Sequence, residues 1–267
     1  MIQADSVTLS LLRTLIGSLM IGGMQLLRHK HTPIERKQCK FILLSALFLA
    51  CNWIFLFESY RYTTITIATI LYYTAPIMVM LFTALILKEP LQKNMIIALS
   101  CCVIGLLCIT QTQTGSTQIQ GILFGLLAAV SYAGILLTGR FIHSMDGLTL
   151  TLHQLSYAAI LMFGYLIIRG QLTSILSIPY SSWPWILFVG ILHTGFAYYL
   201  YFSSLQKLSP PKAAIFSYLD PGVAILVSIL FLQESCTYLQ AIGILFIILG
   251  IYIAQHKGKG SSSTDEE

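Results

Sequence analysis

The chain has 267 residues, of which 56% are hydrophobic and only 9% are charged, with a mean hydropathy of +0.80. A soluble globular chain carries about 25% charged residues because water must be met by polar groups, so lipid is the expected solvent for much of this one. The formal net charge of +5 falls in short Lys/Arg clusters between apolar runs rather than on one face, which marks membrane orientation and gives no nucleic-acid partner.

A helix needs around 20 mostly apolar residues to cross the hydrocarbon core, at about 1.5 Å of rise per residue. In chain order, nine stretches reach that length: 7–27, 40–58, 64–87, 93–111, 119–139, 147–168, 184–206, 212–232 and 237–255. Short polar segments rich in breakers separate them, among them HKHTPIERKQCK, KEPLQK, QTQTGSTQIQ, GRFIHSMDG, SIPYSSW and KLSPPK. The tail 257–267 is polar and is expected to be a disordered cytoplasmic extension.

The first span carries Arg13, about two turns from its outer end. Such an arginine is expected to snorkel outward, the alternative being an ion pair with Glu58 or Asp220. Asn52 sits in the middle of the second span and must bond to something. The third span contains Tyr72, Tyr73 and Pro76, with Glu89 just beyond it. His153 and Gln154 lie about a turn into the sixth span, and His193 lies in the middle of the seventh. A histidine there could relay protons or could simply be hydrogen-bonded to a neighbour. The dense aromatic group Phe196, Tyr198, Tyr199, Tyr201 and Phe202, with Trp53, Phe55 and Phe57 in the second span, reads mainly as interfacial belts. The eighth span holds Ser217, Tyr218, Asp220 and Pro221, with Glu234 after it.

The six cysteines show no CxxC pair, and HExxH, GxSxG and a glycine-rich phosphate loop are all lacking from the sequence. No catalytic residue, metal site or cofactor is therefore assigned. If the spans alternate, 12 of the 15 basic residues collect on one side and Arg13, Arg61 and Arg169 on the other. Cytoplasmic loops carry the Lys/Arg excess, so the C-terminus is expected inside and the N-terminus outside.

The spans also repeat. ILYYTAPIMVMLFTALILKEP (70–90) laid over IFSYLDPGVAILVSILFLQES (215–235) at an offset of 145 aligns Tyr73 with Tyr218, Pro76 with Pro221, Leu87 with Leu232 and Glu89 with Glu234. Gly105 aligns with Gly250 at the same offset, and VTLSLLR (7–13) matches LTLTLHQ (148–154) at 141. Spans one to four thus recur as spans six to nine, and the partner of span five would fall ahead of Met1. The expected plan is an all-α polytopic membrane protein: an inverted repeat of five plus five helices with the first helix missing, in repeats 1–112 and 119–256. Inverted repeats are the architecture of many secondary transporters.

On Tyr218-Leu219-Asp220-Pro221, Glu234, Gly243 and Gly250, and on Tyr73-Thr74-Ala75-Pro76, Glu89 and Gly105, the chain resembles the drug/metabolite transporter superfamily in its EamA branch. The resemblance implies ten helices, a cavity between the halves and the movement of small organic solutes such as amino acids, often outward. It also implies a bacterial inner membrane.

Pro76 and Pro221 free the carbonyls of Tyr72 and Ser217, which either pack against neighbours as kinks or line a wet cavity. Asp220 lies within the eighth span, on a stripe with Ala213, Ser217, Ala224 and Ser228. An intramembrane acid is a proton carrier or the partner of a substrate amine. The alternative is a protonated Asp220 donating to a carbonyl freed by the kink. Asn52, Tyr72, His193, Tyr201, Ser217, Tyr218 and Asp220 are the expected solute-binding residues, with Asp220 coupling protons. Glu89 and Glu234 read as helix-end ties. The functional expectation is a secondary transporter exporting a small-molecule solute by alternating access. The alternatives are an intramembrane enzyme acting on lipid-like substrates and a non-transporting truncated family member. Lipid is the surrounding partner, and a homodimer is compatible with the apolar faces.

Overall fold

In lipid, a backbone without water must satisfy its own N–H and C=O groups, and a helix does so within one segment. The computed structural model describes residues 5–28, 36–109, 118–142, 145–232 and 237–255, and the regular structure among them is all helical. The first half contains α1 (Ser6–Arg28), α2 (Arg36–Tyr62), α3 (Ile65–Tyr72), α4 (Ala75–Ile86) and α5 (Lys93–Ile109). The second begins with α6 (Ile119–Gly139) and α7 (Gly147–Ile168). Then follow α8 (Trp183–Phe188), a π-helical segment Val189–Phe196, α9 (Ala197–Leu205), α10 (Pro210–Phe216), α11 (Leu219–Leu232) and α12 (Tyr238–Gln255).

Each of the nine expected apolar stretches carries helix, and six helical stretches among the described residues are long and apolar enough to cross a membrane. Large aliphatic side chains cover the outside, with Leu27 83% and Ile168 86% exposed. That distribution suits a lipid surround. Glu234 and the tail 257–267 lie outside the described residues.

Two spans break at matching places. α3 gives way to α4 at Tyr73–Thr74, and α10 gives way to α11 at Ser217–Tyr218. Pro76 and Pro221 then sit in the first turn of the following helix, where a missing N–H costs nothing. The carbonyl freed at Ser217 accepts from the Asp220 N–H at 3.2 Å. On the other break, the Ile77 N–H bonds back to Thr74 at 3.0 Å and so bypasses the Tyr73 carbonyl. The hydroxyl of Tyr218, from the other half, donates to that carbonyl at 2.8 Å. A polar group left open by one repeat is closed by the other.

Equivalent residues of the two halves touch each other. Tyr73 stacks on Tyr218, Trp53 meets Tyr198 edge to face, and the Cys102 thiol faces the Ile247 carbonyl. Every one of these pairs is separated by 145 positions. They lie along the seam where the two halves meet. Along it α1 packs on α7 and α5 on α12. Polar bonds stitch the helices where apolar burial gives little drive: Gln25 to Thr149 at 2.8 Å, Gln154 to Ser45 at 2.6 Å, and Ser59 to the Gly121 carbonyl at 2.8 Å.

Candidate functional site

The two helix breaks and the π-helical segment bring polar and aromatic side chains to the same depth. π-helical turns widen a helix locally and recur at functional positions. At the centre stands Tyr132 of α6. Its ring meets Tyr72 edge to face at 5.7 Å between centroids, and its hydroxyl accepts from the Tyr201 hydroxyl at 3.3 Å. Ser217, at the second break, lies in hydrogen-bonding contact with the same hydroxyl. Tyr198 packs against Tyr201 and Trp53. Asn52 donates from Nδ2 to the Ala128 carbonyl at 2.8 Å and is also in hydrogen-bonding contact with Tyr72. Tyr72, Tyr132, Tyr198, Tyr201 and Ser217 are all half-buried, each keeping an open face. A ring of half-covered tyrosines at mid-helix depth has the make-up of a small-solute site: aromatic walls with a few placed polar groups.

The structure brings four of the residues picked from sequence together here: Asn52, Tyr72, Tyr201 and Ser217. Asp220 stands beside them in the first turn of α11, exposed, and within electrostatic reach of Tyr73, Tyr132 and Tyr198. Its carboxylate makes no hydrogen bond or ion pair among the described residues, so the structural bond weighed as its alternative role is not formed there. His193 lies in the π-helical segment, exposed and near Arg13. Tyr218 is placed elsewhere: it is fully buried among Met80, Met95, Ala98 and Cys102, behind its stack on Tyr73.

Three features were missed from sequence. Tyr132 belongs to the span without a counterpart in the chain, so no repetition pointed to it. Trp53 and Tyr198 do not sit in an interfacial belt but in a packed cluster with Phe202, and their alignment at the 145 offset was the available signal. Arg13 does not snorkel. Its guanidinium carbon lies 4.2 Å from the centroid of Trp53, because a desolvated cation over an indole face gains about 2 kcal/mol. It pairs with neither Glu58 nor Asp220. His153, by contrast, is bonded through Nδ1 to the Thr149 carbonyl at 2.7 Å.

Ion pairs tie the halves at two helix ends. Glu58 at the end of α2 accepts on one oxygen from Arg169 at 2.8 Å, Arg61 at 3.1 Å and the Tyr165 hydroxyl at 3.2 Å. With the Tyr165 oxygen accepting from its Nε and Glu58 alongside, the Arg169 guanidinium is held above its ordinary range. Elsewhere, Arg140 after α6 meets Glu89 after α4 at 3.2 Å. Glu58 is almost wholly buried, whereas both its arginines are about half exposed, so solvent screens the pairs. Glu58→Gln is expected to cost about 1 kcal/mol, a fall in the thermal midpoint of about 2–4 °C, read by thermal denaturation in detergent. An unchanged midpoint would mean the network holds nothing. Among the described residues, no group of three or more His, Cys, Asp or Glu is placed to hold a metal.

A family model described as the EamA-like transporter family matches residues 1–111 and 119–254. The chain is 29% identical to the uncharacterized transporter YxxF of Bacillus subtilis (strain 168), across 98% of this chain and 85% of that protein. It is 26% identical to Protein PecM of Dickeya dadantii (strain 3937), across 88% of this chain and 79% of that one. A solved crystal structure superposes with a TM-score of 0.77 at 18% identity, covering 95% of this chain and 88% of its own, a likeness of fold.

Proposed function

The chain belongs to the EamA-like transporter family, and from that membership we propose a secondary transporter that moves small organic metabolites by alternating access between its two repeats. The carrying observation is the ring of half-buried tyrosines around Tyr132, set beside two helix breaks and the line where equivalent residues meet. Solute sites of inverted-repeat transporters form near the midplane from broken helices. Aromatic faces suit apolar and cationic groups, and Asp220 offers a carboxylate to a substrate amine or a proton. Amino acids and related solutes match that combination. The basic residues favour a cytoplasmic C-terminus, and we read the direction as efflux across a bacterial cytoplasmic membrane.

The ion pairs fit this reading as closures. In the orientation proposed from the basic residues, Glu58–Arg169 lies outside and Glu89–Arg140 inside. Each joins a helix of one repeat to a helix of the other, so opening on either side must break the pair on that side.

Solute counterflow tests the proposal. Proteoliposomes loaded with a mixture of amino acids and amines are expected to accumulate at least one of them transiently from tracer outside. The absence of exchange for every solute in the panel, with folded protein in the bilayer, would overturn the reading.

A further inference from the structure

A guanidinium inside an apolar helix is costly, and proteins usually settle the cost by snorkelling or by pairing with an acid. Arg13 does neither. It sits seven residues after Ser6 in α1, about 10 Å along the helix. The ring of Trp53, itself 5% exposed, lies under its face. Its Nε is buried and has no hydrogen-bond partner, and no acid among the described residues pairs with it.

Stacking on an indole fixes the plane of a guanidinium and leaves its N–H edge free, and that edge is a rigid fork matched to a planar two-oxygen acceptor. The surroundings show where the fork belongs. Arg13 is within electrostatic reach of Tyr198 and His193, and Tyr198 is also within the weaker reach of Asp220. Tyr198 of the tyrosine site is thus within reach of both an unpaired cation and an unpaired carboxylate. A single guanidinium balances a single negative charge. A dianionic phosphate would leave one charge uncompensated in a medium that does not screen it.

We propose that Arg13 is the carboxylate-binding residue of this site, and that the solute it takes carries a free carboxylate. The inference rests on the reading of the tyrosine ring as a solute site. It adds a chemical requirement that Asp220 and the aromatic walls alone do not impose.

Intrinsic fluorescence of the purified full-length protein tests it, because Trp53 lies against the proposed contact. The probes are phenylalanine, 3-phenylpropionate, its uncharged amide 3-phenylpropanamide, and phenethylamine. Both carboxylates are expected to bind on the order of tenfold tighter than the amide, as a charge-assisted hydrogen bond implies. R13Q is expected to bring the carboxylates down to the affinity of the amide without moving the amide itself. R13K should recover only a fraction of the preference, since an ammonium lacks the fork.

Equal binding of carboxylate and amide by the wild-type protein overturns the inference, as does a preference that survives R13Q, or a folded protein that binds none of the probes. The wild-type comparison holds even if R13Q does not fold. Counterflow that carries phenethylamine as readily as phenylalanine would leave the transporter reading intact and remove this one. Carboxylate-selective binding without counterflow of any solute would do the reverse.

Discussion

Asp220→Asn proteoliposomes are expected to show solute uptake driven by an imposed pH gradient reduced on the order of tenfold or more, while counterflow at equal pH persists. The expectation starts from cost: an ionised carboxylate within the membrane is unfavourable by at least about 2.5 kcal/mol. Asp220 has no cation or hydrogen-bond donor to offset this among the described residues, although the start of α11 contributes its favourable dipole end. Taking up a proton removes the charge and with it that cost. The position matters as much as the chemistry. Asp220 follows closely on the break at Ser217–Tyr218, where the chain can hinge, and its carboxylate is within electrostatic reach of two tyrosines of the site, Tyr132 and Tyr198. Asparagine keeps the shape and holds the group permanently neutral. Exchange of solute for solute then survives, and coupling to a proton gradient is lost. Loss of counterflow as well would assign Asp220 to the substrate amine. Unchanged pH-driven uptake would end the coupling reading.

The spans and the equivalent residues of the two halves were legible because they depend on quantities a sequence displays: length, apolar content and recurrence at a fixed offset. Pro76 and Pro221 announced interruptions for the same reason. What they could not announce is how the breaks are satisfied. The bond from Tyr218 to the Tyr73 carbonyl depends on two halves meeting along one line, and no local pattern encodes a partner 145 positions away. Alignment at that offset shows which residues are equivalent, not that Trp53 and Tyr198 touch. Part of the candidate site was legible through its neighbours in the sequence. Tyr72, Ser217 and Asp220 sit beside the repeated prolines and stood out, whereas Tyr132 sits in a span with no counterpart. Arg13 was misread for a different reason. Its depth in α1 is visible in the sequence, but the choice between water and Trp53 is decided by a ring on another helix. The π-helical segment Val189–Phe196 likewise has no residue signature of its own.

Gly105→Leu and Gly243→Leu are each expected to prevent recovery of folded protein, and the alanine variants to lower the thermal midpoint by about 4–8 °C, from about 2 kcal/mol of overpacking. α5 and α12 cross backbone on backbone. A Cβ placed on Gly105 would lie 2.6 Å from the Gly243 carbonyl oxygen and 2.8 Å from Ile247, and one on Gly243 would lie 2.6 Å from the Gly105 carbonyl oxygen. Neither obstruction is the flexible end of a side chain, so relief requires the helices to separate. Separation would also open the Cys102–Ile247 contact and the packing around Tyr218. In lipid the helices gain little from apolar burial, and close approach of small residues supplies the association instead. Because both glycines serve one crossing, the double alanine variant should cost less than the two single variants summed, the mark of residues in contact. Gly164→Ala in α7 is the control, since nothing lies within 4 Å of its added Cβ. Its midpoint should hold or rise, because alanine favours a helix by up to about 1 kcal/mol over glycine. Equal midpoints for Gly105→Ala, Gly243→Ala and Gly164→Ala in detergent-solubilised protein would show that the crossing does not hold the two halves together.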